Sequence, residues 1–147
     1  MHIDDILHIT RGSIYFWENH AFNENEEDNR NKYWITLNCK VNDFPINVVL
    51  PTSQNNNWYY SNLNNMIDTV VIEASESEYF FKKTIIDLKN ITHESKDNIE
   101  EAWDLGYLKY HGSLEVDLFG RIEAAIRNAI TISPMDKKEY LCEEDLD

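Results

Sequence analysis

Three short runs of β-branched and aromatic residues near the start of the chain most constrain what it can fold into. They are residues 14–17, 32–41 and 44–50. Runs of this composition, bounded by polar residues, are typical of β-strands. Asn42 and Asp43 separate the second run from the third, and such a pair predicts a tight hairpin turn. The chain is therefore predicted to open with antiparallel strands.

The later sequence adds two more strand-like runs and several helical ones. Residues 69–74 and 84–88 have strand composition, and residues 59–66 are predicted to form a short helix. A better-marked helix is predicted from Ser95 to Gly106, because glycine commonly ends a helix.

A second marked helix is predicted over residues 113–129, with Ser113 as its N-cap. Its apolar residues recur at helical spacing and would form one buried stripe. They are Leu114, Leu118, Ile122, Ala125, Ile126 and Ala129. This helix is expected to be the longest or second longest of the chain.

Strands that come first and helices that come late predict an α+β fold. We expect one domain over residues 1–147. Its strongly bent antiparallel sheet is predicted to close, or nearly close, into a small β-barrel with a C-terminal helix. The mostly acidic residues 135–147 are predicted to be a flexible tail.

The chain is strongly acidic, with 27 Asp and Glu against 13 Lys and Arg and a formal net charge of -14. The excess is concentrated in residues 18–31, 94–104 and 136–147. Such runs most often form solvated surfaces that keep a protein in solution. The alternative is that they repel or imitate nucleic acid, since proteins that bind phosphates usually present Lys and Arg.

Cys39 and Cys142 are the only cysteines, too few for a disulfide framework or a zinc signature. No apolar stretch reaches the length of a membrane span, and no signal peptide is visible. A reducing cytoplasm is the predicted location. The acidic residues of 18–31 lack the spacing of a calcium loop, and no glycine-rich phosphate loop is present, so neither a metal nor a cofactor is expected.

The order of several short motifs is informative. Gly12-Ser13-Ile14-Tyr15 opens the first strand, the polar residues 18–31 follow, Lys32-Tyr33-Trp34-Ile35 starts the second strand, and Leu50-Pro51-Thr52-Ser53 ends the third. Over about residues 10–133 this order resembles the MazF/PemK/Kid family of toxin ribonucleases. The resemblance implies an SH3-like barrel, metal-independent cleavage of single-stranded RNA, a protein antitoxin as partner and a homodimer.

Cleavage of RNA by its own 2′-hydroxyl needs a base, a cation beside the charged phosphorane and an acid for the leaving oxygen. The resemblance implies that Arg30 or Lys32 matches the catalytic arginine of the family and Thr52 its catalytic threonine or serine. Ser53 is a second hydroxyl donor for phosphate. We then expect Arg30 or Lys32 within reach of Thr52 and Ser53 in one groove. The alternative is that the hydroxyl residues only end a strand.

His20 and His111 are further candidates for a general base. Neither has a nucleophile spaced to form an evident triad, so a solvated or capping role is the preferred interpretation.

Aromatic residues supply candidates for stacking on RNA bases. Trp58, Tyr59 and Tyr60 follow a polar loop and are the best of them. Trp17 and Trp34 lie in strand-like runs, where aromatic residues more often fill a core or a dimer interface.

Two functions from different classes follow from the sequence. The first is a toxin-like endoribonuclease, or a diverged relative, paired with an antitoxin. The second is a non-enzymatic interaction protein on the same barrel, whose acidic faces bind a basic partner or mimic nucleic acid. Loss of the catalytic cation within residues 30–33 would favour the second.

Overall fold

A computed structural model describes residues 7–18, 32–53 and 56–143 of the chain. These residues form a mixed α+β fold with eight strands in two antiparallel sheets and four α-helices. The α+β class and the antiparallel pairing are therefore confirmed. Strand pairing within this part of the chain does not join the two sheets into a closed barrel, and the closed or nearly closed SH3-like barrel stays a prediction.

The larger sheet has the strand order β7-β3-β2-β1-β8. These strands are β1 (Ser13–Trp17), β2 (Lys32–Thr36), β3 (Ile46–Val49), β7 (Thr92–Glu94) and β8 (Leu108–Ser113). The second run of the sequence thus ends as a strand at Thr36, earlier than predicted, because residues 37–45 form the connection to β3.

The smaller sheet has the order β4-β6-β5, with β4 (Pro51–Thr52), β5 (Thr69–Ile72) and β6 (Thr84–Asp87). Only Leu50 separates β3 from β4, although the two strands belong to different sheets. The chain therefore passes from one sheet to the other at this residue.

The helices are α1 (Asn56–Ser61), α2 (Lys96–Asp104), α3 (Val116–Asn128) and α4 (Pro134–Tyr140), and shorter 3-10 turns lie between strands. The prediction for α2 is confirmed at both ends. The Ser95 hydroxyl accepts a hydrogen bond from the Asn98 N–H at 3.2 Å. Gly106 has a φ of 78° just beyond the helix, where glycine is favoured.

Helix α3 is the longest of the four, as expected, but Ser113 is not its N-cap. Ser113 instead pairs with Ser13 at the end of β8. The Leu114 N–H donates to the Gly12 carbonyl oxygen at 2.9 Å, which continues this pairing by one residue. Pairing with β1 holds the chain extended here, so Glu115 takes the N-cap position, without a side-chain hydrogen bond to the helix, and the helix begins at Val116.

Two apolar clusters cover the two faces of the larger sheet, because successive side chains of a strand point to opposite sides. One face packs against the smaller sheet and α3, with Ile14, Ile35, Val49, Ile86 and Ile122 in its cluster. The other face packs against α2, with Tyr15, Trp34, Val48, Ile99 and Ala102.

The predicted flexible tail over 135–147 is corrected as far as residue 143. Helix α4 runs to Tyr140, and both Tyr140 and Leu141 are buried in the cluster that contains α3. Burial of these two side chains outweighs the acidic composition from which flexibility was predicted. Residues 144–147 lie outside the described residues.

Cys39 and Cys142 form a disulfide, with their Cα atoms 5.7 Å apart and a sequence separation of 103 residues. The bond joins the connection after β2 to the residue pair that follows α4. The cysteines are too few for a framework of bridges, yet they form a single one. The cytoplasmic location stays a prediction.

No helix in the described ranges combines the length and the apolar composition that crossing a lipid bilayer requires.

Candidate functional site

A cleft of about 210 Å³ lies where β2, β4 and β6 approach each other, and we call it the Ser53 cleft. Half of its lining residues are aromatic, and the others are small, hydroxyl-bearing or cationic. They are Tyr33, Tyr79, Phe80, Phe81, Pro51, Ser53, Lys82 and Thr84. None of them is acidic, although the chain has 27 acidic residues. The Ser53 cleft therefore suits an anion with an aromatic group.

One wall of the Ser53 cleft is formed by residues 77–84, which we call the aromatic loop. The Ser77 hydroxyl donates to Glu115 Oε1 at 2.8 Å and accepts from the Tyr79 N–H at 3.1 Å, which ties one end to α3. At the other end, the Thr84 hydroxyl donates to the Lys82 carbonyl oxygen at 3.0 Å. Phe80 is buried in the core between these anchors. The loop is thus held in place by contacts along its length.

Two side chains of this anchored loop face solvent. Phe81 is 88% exposed, and Lys82 is exposed beside it. An exposed phenylalanine on a fixed backbone offers an aromatic face to a ligand with little ordering cost on binding.

His111 lies beside the Ser53 cleft, next to two of its tyrosines. Its ring centroid is 4.9 Å from that of Tyr33 and 5.7 Å from that of Tyr79. A hydrogen bond to the Glu78 carboxylate and, after it, burial raise the pKa of the Tyr79 hydroxyl. Tyr79 therefore stays protonated over the physiological range and donates to Glu78, with the His111 ring beside it.

Only part of the predicted catalytic set reaches this cleft. Ser53 lines it and is exposed. Thr52, the preceding residue, is half-buried, pairs with Ile85 in the β4–β6 ladder and is not among the lining residues.

The predicted cations are not brought to the cleft by the residues the structure describes. Lys32 pairs with Trp17 in the β1–β2 ladder. Its neighbour Tyr33 lines the Ser53 cleft, and adjacent residues of a strand face opposite sides of the sheet. Arg30 and His20 lie outside the described residues. The catalytic roles of Arg30, Lys32, Thr52 and Ser53 stay predictions.

The three aromatic residues proposed for stacking separate into two kinds. Trp58 and Tyr60 are 52% and 50% exposed, so both present a ring to solvent. Tyr59 is buried, and its hydroxyl donates to Asp87 Oδ2 at 3.0 Å. Burial, and secondarily the Asp87 carboxylate, raise the pKa of Tyr59 to about 12. Tyr59 is thus enclosed in the fold rather than presented to a base.

The two other tryptophans are buried, as their place in strands indicates. Trp17 and Trp34 lie in the cluster under α2, with ring centroids 5.7 Å apart.

Most cations whose contacts are described are neutralised by a carboxylate. Examples are Arg11 with Glu123 at 2.9 Å and Arg121 with Glu76 at 2.5 Å. Lys83, next to the Ser53 cleft, lies 3.6 Å from a Glu73 oxygen and 4.8 Å above the Tyr60 ring. Lys82, like the exposed Lys40, has no salt-bridge partner within residues 7–18, 32–53 and 56–143, but it is the cation that lines the cleft in this part of the chain. Its charge is available to an anionic ligand.

Metal ligands do not gather in the described part of the chain. No three or more His, Cys, Asp or Glu side chains come close enough there to hold a metal ion together.

The fold and the cleft define an α+β protein of two antiparallel sheets with an aromatic, locally cationic pocket at the bend between them. No family model matches the chain, and no curated protein is similar to it in sequence. The chemistry of the Ser53 cleft is therefore the basis for a functional assignment.

Tyr79, Phe81 and Lys82 are site residues that the sequence did not single out. The available signal was Phe80-Phe81-Lys82-Lys83, in which two aromatic residues precede two lysines in an acidic chain. No strand or helix pattern places this tetrad beside Ser53, because the two segments are distant in sequence and meet only through the β4–β6 ladder.

Proposed function

We propose that this chain is a metal-independent endoribonuclease, a diverged relative of the MazF/PemK/Kid toxins on an SH3-like fold, acting in the cytoplasm on single-stranded RNA. The observation that carries the proposal is that Ser53 and Tyr33 line one cleft. Ser53 ends the Leu-Pro-Thr-Ser segment, and Tyr33 follows the basic residue that starts β2. These two segments are the ones that the family resemblance brings together. By the same resemblance, the protein is a homodimer and has a protein antitoxin.

In this reaction the 2′-oxygen attacks phosphorus, the P–O2′ bond forms and the P–O5′ bond breaks. The products are a 2′,3′-cyclic phosphate and a 5′-hydroxyl. Ser53, which lines the cleft, donates a hydrogen bond to a phosphate oxygen. By the resemblance Arg30 holds the charge of the phosphorane, since Lys32 faces the other side of the sheet and Thr52 does not line the cleft. His111, whose ring lies 4.9 Å from that of Tyr33, is the candidate for proton transfer.

The test is cleavage of a labelled single-stranded RNA in the presence of EDTA, with the product ends identified. Ser53→Ala and Arg30→Ala are each expected to slow cleavage about 100-fold, as loss of one transition-state donor does. Lys32→Ala tests the alternative cation, and Lys40→Ala, an exposed lysine in the β2–β3 connection, is the control. The proposal fails if the wild-type protein leaves RNA intact, or if all of these variants cleave at the wild-type rate.

One observation favours the second function, an acidic interaction protein that engages a basic partner. Asp97, Glu101 and Asp104 are exposed on α2 at a spacing that places them along one side of the helix. None of the three has a salt-bridge partner in the described part of the chain. They form a row of carboxylates about 10 Å long, given the helical rise per residue.

Deletion of residues 23–29 separates the two functions, because it removes Glu24, Glu26, Glu27 and Asp28. For a ribonuclease, the deletion should strengthen RNA binding, most visibly at low salt, since screening limits repulsion to about 8–10 Å at physiological salt. For an acidic interaction protein, it should weaken partner binding, and neither form should bind RNA. A gel-shift series over salt concentration distinguishes them. If the deletion changed neither RNA binding nor partner binding at any salt concentration, residues 23–29 would neither repel RNA nor bind a partner.

A further inference from the structure

We infer that the Ser53 cleft and the aromatic loop form a nucleotide subsite, in which the Phe81 ring stacks on a base and Lys82 Nζ holds the adjoining phosphate. The inference rests on the proposed function for the source of the nucleotide, which is one unit of a single-stranded RNA. It deepens that function by placing substrate recognition on a loop outside the predicted catalytic set.

Phe81 is the first observation. Its side chain is 88% exposed, whereas the adjacent Phe80 is 7% exposed and packs in the core. The hydrogen bonds of Ser77 and Thr84 fix the backbone on either side. The loop thus presents one ring outward from a rigid support. Aromatic side chains held in this way stack on nucleobases with little regard to base identity.

Lys82 is the second observation, and it is independent of the first. Its neighbour Lys83 is engaged by Glu73 and by the Tyr60 ring. Lys82 has no carboxylate partner among the residues described, and none of the described residues that line the cleft is acidic; the nearby Glu78 carboxylate is bound by the Tyr79 hydroxyl. In a chain with a net charge of -14, this is a local site for an anion. Phosphate is the anion that a nucleotide brings next to its base.

The size and the hydroxyl groups of the cleft agree with a single nucleotide unit. Its volume of about 210 Å³ is below the roughly 300–1,000 Å³ of pockets that enclose a drug-sized ligand. The cleft therefore takes one phosphate or ring, while the rest of the ligand lies across the exposed Phe81. Ser53 and Tyr33, two residues with hydroxyl groups, also line the cleft. An acidic peptide could pair its carboxylates with Lys82, but those carboxylates would make no stacking contact with the Phe81 ring.

The experiment measures binding without cleavage. The probes are uridine 3′-monophosphate, uridine, inorganic phosphate and a short single-stranded oligodeoxynucleotide, which lacks the attacking 2′-hydroxyl. The full-length variants are Phe81→Ala, Phe81→Trp and Lys82→Ala. Leu63→Ala is the matched control for Phe81, since Leu63 is also 88% exposed, and Lys40→Ala is the control for Lys82.

The nucleotide is expected to bind more tightly than either uridine or phosphate. Phe81→Ala should weaken nucleotide binding roughly 5- to 150-fold, which corresponds to the loss of one stacked base. Phe81→Trp should retain binding. Lys82→Ala should lower the slope of log K against log salt for the oligonucleotide by about 0.7, as expected for one lost phosphate contact on a single strand. Tighter binding of the oligonucleotide than of the mononucleotide would support a nucleic-acid strand as the source.

Several results would overturn the inference. One is equal nucleotide binding by Phe81→Ala and Leu63→Ala. Another is an acidic peptide that binds through Lys82 without dependence on Phe81. Equal affinity for mononucleotide and oligonucleotide would overturn RNA as the source. Nucleotide binding without RNA cleavage would contradict the proposed function and support the subsite. RNA cleavage at the same rate by the wild type and by Phe81→Ala would support the proposed function and contradict the subsite.

Discussion

The ring of Tyr79 occupies the space that a side chain at residue 112 would need. A Cβ built on Gly112 would lie 2.3 Å from a ring carbon of Tyr79, and the φ of Gly112 is +150°, a conformation that other residues rarely adopt. Gly112 belongs to β8, and Tyr79 lines the Ser53 cleft. This contact therefore couples the edge of the larger sheet to the wall of the cleft.

The first prediction is that Gly112→Ala displaces the Tyr79 ring and lowers the free energy of unfolding by about 1–3 kcal/mol, because both the backbone and the contact become strained. Urea denaturation measures the change. Gly120→Ala is the control, because Gly120 lies within α3 and a Cβ added there would meet no atom within 4 Å. That change should stabilise the protein by about 0.5–1 kcal/mol. Equal midpoints for the two variants would contradict the prediction.

The second prediction concerns the disulfide between Cys39 and Cys142. It closes a loop of 103 residues, so it restricts the unfolded chain strongly. Reduction should lower the free energy of unfolding by about 2–4 kcal/mol. Denaturation with and without a reductant measures this effect. The double variant Cys39→Ser/Cys142→Ser should be equally stable in both conditions. If the reductant left the free energy of unfolding of the wild-type protein unchanged, the prediction would be wrong.

The third prediction is a loss of stability at alkaline pH. Burial is the main cause that raises the pKa of Tyr15, Tyr59 and Tyr140 from 10.0 to about 12. A raised pKa in the folded state means that the stabilisation is complete below pH 10 and is lost as the pH rises to about 12. The free energy of unfolding should therefore fall steeply over this interval. A flat profile between these pH values would refute the assignment of buried, neutral tyrosines.

The fourth prediction tests the contact between Tyr59 and Asp87. Tyr59→Phe removes a hydrogen bond to a buried carboxylate, so it should cost about 1–2 kcal/mol at neutral pH, although Lys89 still lies 2.9 Å from Asp87. Tyr60→Phe, at a half-exposed neighbouring ring, should change stability little. Thermal or chemical denaturation of both variants compares them directly. If the two changes had equal effects, the Tyr59 hydroxyl would have no structural role.

The fifth prediction concerns Asp68, whose carboxylate accepts hydrogen bonds from the Ile130 N–H, the Thr131 N–H and the Thr131 hydroxyl. Burial raises the pKa of Asp68, but these hydrogen bonds outweigh it and leave the pKa below 3.8. Its stabilisation is therefore present above that pH and is lost as the pH falls through the lowered pKa. Asp68→Asn should cost about 1 kcal/mol at neutral pH and progressively less in acid, while Asp43→Asn, at an exposed turn, should change stability little at neutral pH. Urea denaturation over a pH series measures both, and a pH-independent difference would contradict the charge argument.

Elements whose signals lie within a few residues were predictable from the sequence. Helix α2 begins after Ser95 and ends before Gly106 because both caps are local hydrogen-bonding features. Helix α3 has its apolar stripe at helical spacing, and its buried residues Leu118, Ile122 and Ile126 are those of the stripe. Strand β1 likewise matches the run of β-branched and aromatic residues that predicted it.

Elements that depend on a distant partner were not predictable in the same way. Serine is a residue type that favours the N-cap position, but Ser113 pairs with Ser13 and is therefore the end of a strand. Tyr140 and Leu141 lie in an acidic segment, but a core formed by α3 buries them. Tertiary contacts override local propensity in both cases.

The sequence by itself determined the α+β class and the helices α2 and α3, because periodicity and capping act over a few residues. It also placed Ser53 at a strand end, where a site residue is exposed. Only the tertiary structure places Ser53 and Lys82 along one cleft and brings Cys39 and Cys142, 103 residues apart in sequence, into a disulfide. Such long-range contacts depend on which strands pair and on which faces are buried. Strand pairing and burial are set by the packing of the whole chain rather than by any local pattern.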